Sequence, residues 1–290
     1  MSTLNSVNTN ITAQIALASL NTTTAQLAAT QKQISTGYRV ADATDDGAAY
    51  AVAQRVRSDV SALTSANQQL GNVQGLLSTT NTALNDVSNT LSSARDVLVK
   101  LADGNTTGTQ RTQYIQQYQS LIAQVKTNFQ DATYNSKTLI GDIGGNASSG
   151  NYGSVSIIRN ESGSTYGISA FSGSAMMASL NFTSTQLNGA STVAALIGTS
   201  AAGATFMNQL NSLGTAMNAY GAATNYVTKQ VSYNSDKINS LNAGLGSLVD
   251  ANLAQESAQL TSLQIRQQLG TQALTLANQA PQSLLKLFGL

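Results

Sequence analysis

The first thirty-eight residues carry two heptad ladders of apolar side chains, Ala13-Leu20-Leu27-Ile34 and Leu4-Ile11-Ala18-Ala25. At about 100° per helical residue the ladders fall on roughly opposite faces of one helix. A helix docked on a single domain needs one apolar stripe, so two opposed stripes ask for neighbours on both sides. A helix buried inside a bundle gives the same pattern. The last predicted helix, about Leu248–Leu287, repeats the design. Leu253, Leu260, Leu263, Leu274 and Ala277 form one stripe, and Ile265, Leu269 and Leu276 lie about 140–180° from Leu260.

Between these ends the pattern predicts a helix from about Ala48 to Leu101, weakened at Gly71 and Gly75. Thr44, Asp45 and Asp46 are its N-cap candidates, at the positive end of the helix dipole. Capping alone is the simpler reading of this carboxylate pair, ahead of metal binding. Arg55–Asp59 and Asp96–Lys100 are i,i+4 pairs on that helix. Asp103–Gly108 reads as a loop, followed by a helix from about Thr109 to Ala132 with Tyr114, Ile115, Tyr118, Leu121, Ile122, Val125 and Phe129 at core spacing. The glycine-rich stretch 141–153 reads as loop. Val155–Ile157, a turn at Asn160–Gly163 and Thr165–Phe171 predict a β-hairpin. Helix resumes at about Ala204, and Gly244 and Gly246 loosen the chain before the last helix. The fold class is therefore mainly α: a long antiparallel helical bundle with terminal coiled-coil helices and a small hairpin region.

Charge alters this picture. Charged residues make up 9% of the chain with a formal net charge of +1, and none occurs from Ser162 to Thr228. That lies far below the roughly 25% of ordinary soluble domains and suits a surface meant to meet copies of itself. No basic run offers nucleic acid a grip, and no run of about twenty apolar residues spans a membrane. There is no Cys, His or Trp. The commonest general base and metal ligand are thus absent, as are any GxSxG, HExxH or P-loop sequences. The expectation is no enzyme, no catalytic residue, no metal and no cofactor. The first basic residue is Lys32, so a secretory signal with a positive n-region is not expected.

The order of several long motifs resembles bacterial flagellin. They are Asn8-Thr9-Asn10-Ile11, Gln33-Ile34-Ser35-Thr36-Gly37-Tyr38-Arg39-Val40 and Ala43-Thr44-Asp45-Asp46-Gly47 with Ala48–Arg55. Tyr134–Leu139, Gln264–Leu269 and Ala277–Leu285 complete the set. The resemblance covers about the first 140 and last 90 residues. It implies an inner filament-core domain of residues 1–38 and 250–290, a linker at 39–46, and an outer α-helical domain of 47–140 and 201–249. Residues 141–200 would form a hairpin and Gly/Ser/Thr-rich surface segment, with little room for larger outer domains, and hence a thin filament. It also implies a structural subunit polymerising into the extracellular flagellum for swimming, exported by the flagellar type III route without a cleaved signal. Its partners would be other copies, the filament cap, junction proteins and an export chaperone. Ser/Thr within 162–200 would be candidates for O-glycosylation. Where the innate receptor for flagellin grips an Arg and a Glu, this chain aligns Ser93 and Gln117, which implies evasion.

The self-assembly residues expected on this basis are Leu4, Ile11, Ala18, Leu20, Leu27, Ile34, Leu253, Leu260, Leu263, Ile265, Leu269, Leu274 and Leu276. Ordering backbone costs about 1–2 kcal/mol per residue. Stripes diluted by Thr, Asn and Gln do not offset that on one face alone, so both ends are expected to be disordered until copies supply the second face. A hook–filament junction protein, which shares the terminal helices, and a secreted helical adhesin or effector remain the alternatives.

Overall fold

The computed structural model describes residues 9–143, 151–198 and 206–287, the side chains of 280–287 excepted. Its contacts divide the chain into two compact units, Met1–Asp59 with Asn239–Leu290, and Val60–Ile238. Eight helices and one two-stranded antiparallel sheet occur among the described residues.

In the second unit the core is set by α2 (Gly47–Ala102), α3 (Gly108–Asp131) and α7 (Phe206–Val249). Buried positions of α2 recur at Leu63, Ala66, Leu70, Val73, Leu77, Thr80, Leu84, Val87, Leu91, Ala94, Leu98 and Leu101. These alternating steps of three and four are the a/d pattern of a coiled coil. Phe206, Leu213, Tyr220 and Val227 of α7 and Ile115, Tyr118, Ile122, Val125 and Phe129 of α3 complete this core. The polar positions of the seam are paired. Asn67 accepts from the Asn234 amide at 2.9 Å, and the Asn81 and Gln74 amides donate to Thr224 and Thr228 at 3.1 and 2.9 Å. Arg111 is buried with no carboxylate partner among the described residues. Its guanidinium donates to the carbonyl of Leu101, in the last turn of α2, and to that of Thr106 in the loop that follows.

The hairpin forms as expected, with β1 (Val155–Ile158) against β2 (Thr165–Ile168) in the register Val155↔Ile168. Gly163 supplies the left-handed turn residue at φ 75. Ile157 and Ile168 point into the core, and Tyr166 stacks on Tyr226 of α7 at 4.0 Å. Gln230 and Asn234 of α7 both donate to the Arg159 carbonyl, and Lys237 pairs with Glu161. The hairpin is thereby fixed to a single stretch of α7.

Three expectations need correction. Residues 171–198, read as surface segment, hold three short helices: α4 (Gly173–Leu180), α5 (Ser184–Asn188) and α6 (Ala190–Ile197). Asp142 and Ser172 cap α4, and a Thr183–Gln186 capping box starts α5. Their few apolar anchors, Met176, Leu180, Leu187 and Val193, are too sparse to show a period. Second, α7 runs through Gly244 and Gly246 to Val249; the break falls at Asp250–Asn252. Helical glycine costs only about 1 kcal/mol, which packing of Leu245, Leu248 and Val249 on Val40, Ala49 and Ala53 offsets. Third, Arg55–Asp59 and Asp96–Lys100 do not close as ion pairs among the described residues, and Lys100 lies over the Tyr114 ring instead.

Candidate assembly interface

The first unit is built on α1 (Ile11–Thr36) and α8 (Leu253–Leu287), which pack on each other. Asn10 starts the pairing. Its Oδ1 accepts from the Ala13 amide as the α1 N-cap, while its Nδ2 donates to the Ala277 carbonyl at 2.7 Å. At the other end Tyr38 bridges Asp250, so the two helices run antiparallel.

Ala13, Ala16, Leu20, Thr23, Leu27, Thr30 and Ile34 form a partly or fully shielded row along α1, where Ile11, Lys32 and Gln33 are half-buried too; on α8 the shielded row is Glu256, Leu260, Leu263, Gln267, Gly270, Leu274 and Ala277. Both sets step by three and four, the spacing that keeps a seam facing its partner along the whole contact. Leu263 is its best-buried leucine, and Gly270 leaves room for Leu20, whose Cδ1 would lie 3.2 Å from an added Cβ. Glu256 is the exception: its Oε2 is shielded yet accepts no hydrogen bond among the described residues.

The other faces are bare. Ile15 is 65% exposed and Leu17 46%, while on α8 Ile265, Leu269 and Leu276 are 53%, 58% and 67% exposed. Among the residues expected to assemble, Leu20, Leu27, Ile34, Leu260, Leu263 and Leu274 therefore lie on the intrachain seam. Ile265, Leu269, Leu276 and Ala18 face away from it, Ile11 is half-buried, and Leu253 at the helix start is half-exposed. Leu4 lies outside the described residues.

The segments that join α1 to α2 and α7 to α8 are laced together. Gly37 ends α1 in the left-handed conformation at φ 74. Arg39 and Val40 donate their amides to the Val249 carbonyl, Ala251 donates to Gly37, and the Arg39 guanidinium reaches the Leu248 carbonyl. Lys32 bridges Asp42 and Asp45 at 2.7 and 2.8 Å. Its ammonium holds both carboxyls below their usual range, helped at Asp42 by the Thr44 hydroxyl and at Asp45 by the Ala41 amide. Those hydrogen bonds in turn raise Lys32 above the ordinary lysine value. Of the three cap candidates, Asp46 accepts from the Ala48 and Ala49 amides and caps α2. Asp45 instead closes the loop on Lys32, and Thr44 donates to Asp42. Asn10, Lys32, Arg39 and Val249 were missed as functional residues. Only Lys32, as the single charge of α1, carried a signal that could have singled it out.

The sequence comparisons bear on the same ends of the chain. The bacterial flagellin N-terminal helical region matches residues 7–144 and the C-terminal helical region matches 203–288. Flagellin FljM of Caulobacter vibrioides is 32% identical, the match covering 98% of this chain and 99% of that protein.

The chain belongs to the bacterial flagellin family.

The flagellin of Brucella melitensis is 30% identical over similarly complete lengths, 98% of this chain and 99% of its own. A flagellar hook-associated protein structure from Vibrio parahaemolyticus matches 71% of this chain and 100% of its own at TM-score 0.54 and 17% identity, a likeness of fold alone. As a flagellin the chain is a structural subunit of the flagellar filament, and its partner is itself. No helix among the described residues is long and apolar enough to cross a membrane.

Proposed function

We propose that this flagellin builds the extracellular filament of a swimming cell by coupled folding and burial of its two ends. The observation that carries the mechanism is the row of large aliphatic side chains at Ile265, Leu269 and Leu276, more than half exposed on the face of α8 turned from α1. Contiguous apolar surface of this kind marks an interaction site. The intrachain seam satisfies one face of each terminal helix, and copies supply the other. With small and polar residues diluting that seam, the pairing is too weak to order both ends before assembly. Growth is then the step at which the ends become permanently helical.

Circular dichroism before and after seeded polymerisation tests this: helix content rises on assembly. Equal helix content in the two states defeats the mechanism.

Further roles follow from the same reading. The chain leaves the cell by the flagellar export apparatus without cleavage, with a chaperone holding its apolar ends, and meets the cap and junction proteins at the filament's tip and base. It performs no catalysis. Ser162, Thr165, Ser169, Thr185 and Ser191 are exposed acceptors for O-linked sugar, whereas Ser172, Ser174 and Thr183 are engaged at the starts of α4 and α5. Ser93 and Gln117, both exposed, stand where receptor recognition would need charge, so a reporter cell line stays silent with this monomer.

A further inference from the structure

The seam of the Val60–Ile238 unit repeats itself. Leu63, Leu70, Leu77, Leu84, Leu91 and Leu98 of α2 are fully buried at intervals of seven. Phe206, Leu213, Tyr220 and Val227 of α7 are buried at the same interval, and the next position in that row is Asn234. A slide of one helix along the other by one heptad, about 10 Å at about 1.5 Å per residue, returns leucine for leucine along α2. Apolar contact alone therefore distinguishes poorly between alignments.

Among the buried polar side chains of α2 and α7 in the described residues, Asn234 is the one that reaches the opposite helix. Thr80 and Thr90 donate to the carbonyls of Leu76 and Asp86 on their own helix, so those bonds travel with α2. The Tyr220 hydroxyl bonds the Ser169 carbonyl, outside α2. Asn234 has no exposed surface. Its amide donates to Asn67 Oδ1 at 2.9 Å and to the Arg159 carbonyl at 3.0 Å, and its Oδ1 accepts from Gln230 at 2.9 Å. Either slide by a heptad breaks this closure: Asn234 then meets Val60, or it meets the longer Gln74 while Asn67 loses its partner. The Gln74–Thr228 and Asn81–Thr224 pairs lie at the wetter edge of the seam, where water replaces a lost bond.

We propose that Asn234 is the register key of the α2–α7 coiled coil. Its amide, closed on Asn67 and on the hairpin's Arg159 carbonyl, admits one of several alignments that the leucine row would accept. A single buried Asn is well suited to this task, because it fixes register at a cost in stability. The role bears on repetition: a copy in a second alignment would offer its neighbours a different surface.

The natural chain has no cysteine, so Asn85→Cys and Ser232→Cys, both exposed and well separated along the seam, carry spin labels cleanly. Electron–electron resonance on the refolded monomer reads the distance between them, apart from any assembly. The labelled parent gives one narrow distance. Adding Asn67→Leu and Asn234→Leu is expected to give a second distance, displaced by about 10 Å, in a unit that still melts cooperatively. That replacement strands no acceptor, since Gln230 still donates to the Arg159 carbonyl. One unchanged distance in the folded variant overturns the proposal. A variant that no longer folds overturns it too, because the pair would then be holding the unit together rather than choosing its alignment. Gln74→Leu with Thr228→Val is the control at the seam's edge: it keeps the single distance, and a second distance there takes the key away from Asn234.

Discussion

The side-chain amide of Asn10 donates to the backbone carbonyl of Ala277, joining the two ends of the chain at 2.7 Å. The same side chain accepts from the Ala13 amide, so one residue both starts α1 and ties it to α8. Asn10→Ala removes both bonds and is expected to weaken the helix start by about 1 kcal/mol. Asn10→Asp keeps the acceptor and loses the donor, and should fall between. The temperature at which filaments melt, followed by light scattering, gives the order Asn10 above Asp above Ala.

The seam and the outward face of α8 respond differently to the same change. Leu263→Ala opens a cavity under a leucine that is 3% exposed, and should cost about 2–5 kcal/mol in the α1–α8 pairing. Leu260→Asp places an unpaired charge on the same seam in every copy and abolishes filaments. Leu269→Asp leaves the seam intact and abolishes only the contact between copies. Deleting residues 261–290 should leave the Val60–Ile238 unit folded and end assembly, checked by calorimetry and electron microscopy on one sample.

Glu256 occupies a seam position with one carboxylate oxygen shielded and without a hydrogen-bond partner among the described residues. Uncompensated buried polar atoms cost about 1–3 kcal/mol. Glu256→Leu fills the same seam position without that cost, so its filaments should melt higher than the parent's. A lower melting point would mean that this carboxylate finds a partner in the filament.

Arg111 holds the end of α2 through carbonyls and has no carboxylate among its hydrogen-bond partners. Arg111→Met orphans those acceptors, at about 1–3 kcal/mol for each left without water. Arg111→Lys retains the charge but loses the planar fork, and recovers only part of the stability. Thermal unfolding of the monomer separates the three proteins.

Acid acts on the loop between α1 and α2. Asp42 and Asp45 titrate below the ordinary carboxylate value of 3.8 because Lys32 bonds their charged forms. Their contribution is therefore complete above that value and is lost as pH falls through the lower, folded values. Lys32 titrates above 10.5, so its side of the contact is complete below that value and is lost as alkali carries the pH up through the raised, folded value. Lys32→Met should flatten the acid limb of the filament's stability profile while leaving the neutral plateau nearly unchanged, since exposed pairs contribute little.

Much of this architecture was legible because it is periodic. The ladders in residues 1–38, and again after Leu248, predicted two terminal helices, and the structure puts Leu20, Leu27 and Ile34 on the shielded face of α1 and Leu260, Leu263 and Leu274 on that of α8. What the sequence hid depends on single contacts between distant positions. Nothing local marks Asn10 as a partner of Ala277, or Val249 as the acceptor for Arg39 and Val40. The helices of 173–197 were missed for another reason: each is eight residues or shorter and started by a cap rather than a stripe. Gly244 and Gly246 misled because tertiary packing outweighs their poor propensity.

Beneath Leu20, Gly270 leaves a gap in which a methyl group would sit 3.2 Å from the leucine's tip. In a solitary molecule such a misfit is absorbed by a small sideways give. A filament has no such freedom, because the same give recurs in every copy and its effect on twist and rise accumulates. The glycine thus sets a tolerance for the whole filament: an error too slight to unfold one molecule becomes a change of pitch when it is copied along the shaft.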